Sequence, residues 1–437
     1  MAVTKKHIRG LARLHGYWIY KTFLTKTAEW PLELKRAWVY RKTRDALITA
    51  YEGTEFYRKR FDGAGFDPRR HFDRVEDLAR VPMLTKEEVR RNYEEMIDRR
   101  FLATSVVAYT SGTSGQPTEF RLNEYYVAFD YACMFRHWAL SGYRFRSRIA
   151  ALRSYVPSWS KGPLWKYNRW QNALFMSAYH LKAGNAEDYI EELIRFRPQY
   201  IRAYPSSINV LAEFAYPFRE QLRFVRGIFT ASETLLESER ANIERTFGKV
   251  VYDWYGMTEP AVVITERADH NGLDVNWEYG YPEFLEGPEL TGNQRHLLAT
   301  SLHNPVMPFI RYQTGDVVSL GAAEQGGDLY PRIQSIQGRK DECFLTPDGR
   351  RLPSLNFYSL LQAYREILRF QFVQAAADEV QLRLLLRPGG QNIEGVLKTV
   401  RIEVGHRLGP EMKLLVEIAD TFVTSPDGKT PTFVRRI

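Results

Sequence analysis

The chain has 437 residues, 44% of them hydrophobic and 26% charged, which is enough for about two to three globular domains with buried cores. Its formal charge is +9, yet residues 1–60 alone carry 14 Lys and Arg against 5 Asp and Glu, so the excess is local and the remainder is balanced. No nucleic-acid recognition motif accompanies that charge, and nucleic acid is not an expected partner.

No run of 18 apolar residues and no leader-like start is present, so the expected location is the cytoplasm. Cys133 and Cys343 have neither a CxxC neighbour nor a nearby histidine, which points to reduced thiols and to no disulfide framework.

In chain order, Lys5, Lys6, Arg9 and Arg13 interleave with Ile8, Leu11, Leu14, Trp18 and Ile19. That pattern predicts a basic amphipathic helix, either packed on its own domain or laid weakly on an anionic membrane through residues 1–20. Residues 33–60 and 84–99 read as helices, the first with an apolar stripe through Leu34, Trp38, Leu47 and Ile48. Thr85 followed by Glu87 and Glu88 marks an N-cap.

Residues 104–120 read as strand, glycine loop and strand. Helices at 186–196, 206–215 and 236–247 then alternate with short strands at 148–152, 225–230 and 249–252, the mark of an α/β sheet. After Gly338 a hairpin (370–374 and 380–386), a helix (393–408) and a strand (414–418) predict a small α+β lobe. The expected division is therefore 1–338, with a basic helical extension at 1–60, and 339–437.

The loop from Tyr109 to Thr118 carries hydroxyls at Thr110, Ser111, Thr113, Ser114 and Thr118. Gly112 and Gly115 permit positive φ, so that backbone N–H groups can converge on a polyphosphate. No lysine follows the second glycine, which rules out the Walker arrangement; an ordinary Ser/Thr/Gly surface turn is the plain alternative.

Further motifs follow in order: Ala231-Ser-Glu233, Tyr255-Gly-Met-Thr-Glu259, Tyr312-Gln-Thr-Gly-Asp316, Gly338-Arg-Lys-Asp-Glu342 and Gly428-Lys429. With Phe56-Tyr57-Arg58 and Val81-Pro-Met-Leu-Thr-Lys86 before them, these segments resemble the adenylate-forming enzyme superfamily. The nearest likeness is to its phenylacetate-CoA ligase-like branch, which includes capsule-biosynthesis-associated members.

The resemblance implies an α/β fold with a large ATP- and carboxylate-binding domain and a small mobile α+β lid. It implies attack of a carboxylate on the α-phosphorus of ATP, giving an acyl adenylate and pyrophosphate. The glycine loop would hold phosphates, and Glu259 would hold Mg²⁺. Without the resemblance, Glu259 after Thr258 would be a helix N-terminal acid.

By the same resemblance, Tyr255 and Gly256 with Ser232 and Glu233 would line the adenine pocket. Asp316 would accept from the ribose hydroxyls, Arg339 would bind ribose or α-phosphate, and Asp341 would sit at the hinge. The catalytic set would be Lys429, Glu259 and Thr258, with Lys429 carried by the lid.

Many members of this branch place Glu-Cys and Gly-Leu-His segments around a zinc; here Glu266 precedes Arg267 and Gly272-Leu273 precedes Asp274. No zinc is expected, and Trp277 and Tyr279 are candidates for holding the loop instead. Tyr204, Ser206 and Trp254, with residues 154–160, fall where the acid pocket is usually built, and their aromatics suit a planar acid. The acyl acceptor stays open between coenzyme A, a carrier-protein thiol, and an amine or sugar. So does the oligomeric state, and a non-catalytic nucleotide-binding scaffold remains the rival reading.

Overall fold

The structure, a computed structural model, describes residues 5–110, 118–155, 163–181, 183–288, 290, 292–321, 328–337, 343–354, 357, 360–361, 364, 366–386, 392–419, 421–423 and 433–436. It divides into two compact units. One comprises Met1–Ala108, Glu119–Phe145 and Tyr252–Gly338, and the other Tyr109–Thr118, Arg146–Val251 and Arg339–Ile437.

In the first unit, the N-terminal helix Lys5–Ile19 packs lengthwise on Glu124–Ala139. The contact is close enough to need glycine: a Cβ on Gly16 would lie 2.4 Å from the carbonyl oxygen of Ala128. Ala12, Ile19 and Leu24 are buried against Phe129 and Ala132, whereas Leu11, Leu14 and Trp18 are exposed. The following turns are tied down by Thr27, whose hydroxyl donates to Glu278 Oε1 at 2.6 Å; Arg136 grips the same buried carboxylate at 2.7 and 2.9 Å.

The expected helix over 33–60 is two helices, Leu32–Gly53 and Glu55–Gly63. Thr54 divides them. Its extended backbone ends the first, and its hydroxyl accepts from the Tyr57 amide at 3.2 Å to start the second. In the expected stripe Trp38 and Leu47 are buried, but Leu34 is exposed.

The helix over 84–99 is only Lys86–Arg91. The Thr85 cap does form, with Glu88 completing a capping box, but the chain then turns so that Met96 and Ile97 are buried. Both helical segments pack on an antiparallel sheet whose strands run in the order 280–285, 294–301, 312–320, 333–337, 273–275, 263–266 and 251–256. Leu47, Phe61, Phe120, Phe309 and Tyr312 fill the space between.

In the second unit the strands Gly227–Ala231, Tyr200–Ala203, Ile149–Arg153 and Ala173–Ser177 lie parallel in that order, with Trp165–Asn168 antiparallel at the edge. The fully buried Gly-Ile-Phe-Thr-Ala run fits a strand covered on both faces. Helices Ala186–Phe196, Pro205–Ala215 and Glu237–Phe247 match the sequence expectation to within one residue.

Residues beyond 343 form a mixed sheet, ordered 413–418, 379–386, 367–376 and 433–435, with the helix Ile393–Leu408 packed against it over Phe344, Phe372, Leu382 and Val400. This α+β segment has its own core. It meets the 146–251 segment through Arg350, which donates to the carbonyls of Tyr179 at 2.6 Å and Leu408 at 2.7 Å while paired with Asp348.

Candidate active site

Two groups of motif residues are brought together, one in each unit. In the first unit, Tyr255 lies on the strand Val251–Gly256 and Asp316 on Tyr312–Leu320. Across 61 residues of sequence, the Tyr255 hydroxyl donates to Asp316 Oδ2 at 2.5 Å. Burial, reinforced by the Asp316 charge, pushes the phenol well above its ordinary pKa, so Tyr255 is a permanent donor here.

Glu259 is buried in the turn that leads to the strand Val263–Glu266, and no helix follows it, so the helix-end reading of this residue does not apply. Its Oε1 accepts from Tyr312 Oη at 3.0 Å and from Lys86 Nζ at 3.3 Å. Thr258 beside it is exposed. Gly256 is exposed, and a Cβ there would meet Trp254 Nε1 at 2.5 Å. Trp254 is half-buried with His137 5.9 Å away.

In the second unit, Arg153, Tyr204, Ser206, Ser232 and Glu233 gather at the carboxyl ends of three adjacent parallel strands, the place where open α/β sheets bind ligands. Ser232 is exposed and takes a left-handed φ of 76°, and its hydroxyl accepts from Arg153 Nη2 at 2.7 Å. Glu233 Oε2 accepts the Ser206 amide at 3.1 Å and so caps the helix Pro205–Ala215. Burial pushes the Glu233 carboxyl up to about 7.

Thr110 ends the strand Ser105–Thr110, and Thr118 opens Thr118–Asn123, where it is buried. Ser111, Gly112, Thr113, Ser114 and Gly115 between them, together with Arg339, Asp341, Lys429 and residues 156–162, lie outside the described residues.

The sequence reading missed three residues: Arg153, Lys86 and the Tyr312 hydroxyl. Lys86 and Tyr312 belong to segments singled out for their pattern, and only the pairing with Glu259 shows what they touch. Arg153 sits in no motif, and its one signal is its place at the end of a strand.

The loop that was expected to lack zinc is held by ion pairs. Arg267 reaches Asp274 at 2.7 Å, Asp269 at 3.2 Å and Asp328 at 3.6 Å, and His270 meets Glu266 at 3.0 Å. Trp277 and Tyr279 do something else: Trp277 packs edge-on against Trp38, and Tyr279 bonds Tyr126. Among the described residues, no group of three or more His, Cys, Asp or Glu is placed to hold a metal ion.

No family model matches the chain. It is 26% identical over 364 residues to protein CapK of Staphylococcus aureus, covering 81% of this chain and 79% of that protein. It is also 27% identical over 403 residues to the phenylacetate-coenzyme A ligase of Thermus thermophilus, covering 86% and 88%. A phenylacetate-coenzyme A ligase of Escherichia coli gives 25% over 414 residues, 88% of this chain and 89% of that one.

These likenesses support a place among the adenylate-forming enzymes, in their phenylacetate-CoA ligase-like branch. The adenylate-forming fold is shared with 2-hydroxyisobutyryl-CoA ligase, solved with its acyl adenylate and coenzyme A in the thioesterification state. The TM-score is 0.57 at 21% identity, over 93% of this chain and 91% of that one. Arg267 and Asp274, the two residues on which the expectation of no zinc rested, are an ion pair.

Proposed function

We propose that this protein is an ATP-dependent, AMP-forming acyl-CoA ligase located in the cytoplasm. A carboxylate oxygen attacks the α-phosphorus of ATP, the bond from that phosphorus to the β-phosphate bridge breaks, and pyrophosphate leaves. The thiolate of coenzyme A then attacks the acyl carbon and AMP departs with the bonding electron pair. The observation that carries this reading is the hydrogen bond between Tyr255 and Asp316, which joins two separate nucleotide motifs into one carboxylate–phenol pair suited to a ribose.

In this reading Asp316 accepts from ribose, Tyr255 with Gly256, Ser232 and Glu233 surrounds the base, and Arg339 meets ribose or α-phosphate. Thr110–Thr118 binds the outer phosphates. Residues 339–437 act as the lid, turning about Asp341 to deliver Lys429. Tyr204, Ser206 and Trp254 contact the acid.

A carboxylate is a hard oxygen donor, and Mg²⁺ commonly takes one or two such ligands, completing its shell with phosphates and water. Glu259 fits that requirement, and Mg²⁺ bound there would neutralise charge on the departing pyrophosphate. Glu259 is oriented by Tyr312 and Lys86, whose ammonium is a further cation beside it. Weak peripheral contact with a membrane through residues 1–20 belongs to the same proposal.

The test is acid-dependent release of pyrophosphate across a panel of carboxylic acids, followed by an acceptor panel. Pyrophosphate with AMP and an acyl thioester is the expected outcome. ATP binding without any acid-dependent pyrophosphate would favour a nucleotide-binding scaffold. Transfer from adenylate to an amine, sugar or carrier thiol in place of coenzyme A would change only the second step.

A further inference from the structure

The carboxyl ends of the parallel strands in the second unit, where the proposed acid-contacting Tyr204 and Ser206 lie, hold a guanidinium nitrogen that a pocket for an apolar acid would not carry. Arg153 is the last residue of its strand, and its guanidinium carbon lies 4.5 Å from the centre of the Tyr204 ring. Stacking on that face and the bond to Ser232 fix the guanidinium. Its Nη1 is nevertheless buried with no hydrogen-bond partner. Glu233 and Ser206, at the ends of the two neighbouring strands, are taken up with each other: the carboxylate accepts from the Ser206 amide at 3.1 Å and from its hydroxyl.

Such an atom is costly if nothing ever pairs with it, and folded proteins keep few of them. A buried guanidinium nitrogen left open at the ligand-binding edge of a parallel sheet is a donor awaiting an anion. Glu233 is a poor internal partner for the arginine, because its Oε2 caps a helix and burial leaves it only partly ionised at neutral pH.

Resting on the adenylation reading above, we propose that Arg153 is the specificity-determining residue of the acid pocket, and that the acid activated here carries a second anionic oxygen group that pairs with it. A guanidinium matches a carboxylate in plane and charge. The reacting carboxylate is the weaker candidate for this contact. It loses its charge on becoming an acyl phosphate, so an arginine there would stabilise substrate more than transition state. An apolar acid would leave Nη1 desolvated and unpaired, which is the strongest kind of discrimination a pocket can apply.

Matched acids decide it: butanoate against succinate, and phenylacetate against 4-carboxyphenylacetate, read as kcat/KM for pyrophosphate release. The carboxylated member of at least one pair should be preferred by about 10–100-fold. Arg153→Leu should lower that preference by a similar factor, mainly through KM and without a change in melting temperature. Arg153→Lys should recover part of it.

Preference for the apolar members by the native protein overturns the proposal. So does an Arg153→Leu loss equal for both members of a pair, which would place Arg153 on the reacting carboxylate. Should no acid release pyrophosphate, the adenylation reading fails by itself, and calorimetry with the same dicarboxylates still reads the site. Binding lost in Arg153→Leu upholds the arginine's role, and binding that is absent or unaltered overturns it.

Discussion

Asp316 and Tyr255 illustrate how far single residues can be read. Each sits in a motif that marks it as a candidate nucleotide contact, but only the folded chain shows the phenol donating to the carboxylate at 2.5 Å. Asp316→Ala removes a charged acceptor, and ATP affinity measured by calorimetry should fall by roughly 1.5–3 kcal/mol. Unchanged affinity would take Asp316 out of the nucleotide site. Lys429 belongs to the same proposal through the lid. Lys429→Ala should leave melting temperature and ATP affinity nearly unaltered while slowing acid-dependent pyrophosphate release by about 10²–10³-fold, the scale for losing one pre-organised transition-state donor. Adenylation at the native rate would move that role to another cation. Arg153 was invisible to motif reading because its chemistry comes from being the last residue of a central parallel strand, and a neighbour in space is not a neighbour in sequence.

Among elements, the loop between Val263–Glu266 and Leu273–Val275 is held by charge pairing. Arg267 is mostly buried but Asp274 is half-exposed, with 51% of its side chain accessible, so solvent screens the pair. A double-mutant cycle of Arg267→Ala and Asp274→Ala should give a coupling of about 0.5–1 kcal/mol in urea unfolding. Additive losses would mean that the loop is held elsewhere. Elemental analysis of untagged protein should find no stoichiometric zinc, and finding it would show that other ligands have taken over. Helices with a single amphipathic face, such as Ala186–Phe196 and Ile393–Leu408, were legible almost to the residue. The stretches 33–60 and 84–99 were not, because Thr54 can be both the end of one helix and the cap of the next, and because burial of Met96 and Ile97 outweighs local helix preference.

For the molecule as a whole, buried histidines set a limit at acid pH. Burial holds His137 down to about 3 and His303 down to about 4, whereas both regain an ordinary value near 6.5 on unfolding. The unfolded chain therefore binds more protons below pH 6.5, and stability is lost as pH falls from there through the folded values, by about 2 kcal/mol for each histidine at pH 5. Urea midpoints at pH 7.5 and pH 5 should show it, with a smaller difference in His137→Phe; an equal difference would put the acid lability on other groups. The N-terminal helix turns Ala12, Gly16 and Ile19 inward and Leu11, Leu14 and Trp18 outward. Co-sedimentation with anionic liposomes is expected at low salt and should weaken as salt rises. Retention by protein starting near Glu33 would rule out this segment. No helix among the described residues is long and apolar enough to cross a membrane. What the sequence by itself determined is the α/β class, the order of the nucleotide motifs and the local helices, because loop chemistry, caps and hydrophobic period act over a few residues. What only the tertiary structure decided is the partners of Glu259, the ion-paired loop, the inward and outward faces of the first helix and the open Nη1 of Arg153. Those depend on which strands lie side by side, and that choice is made by burial summed over the whole chain.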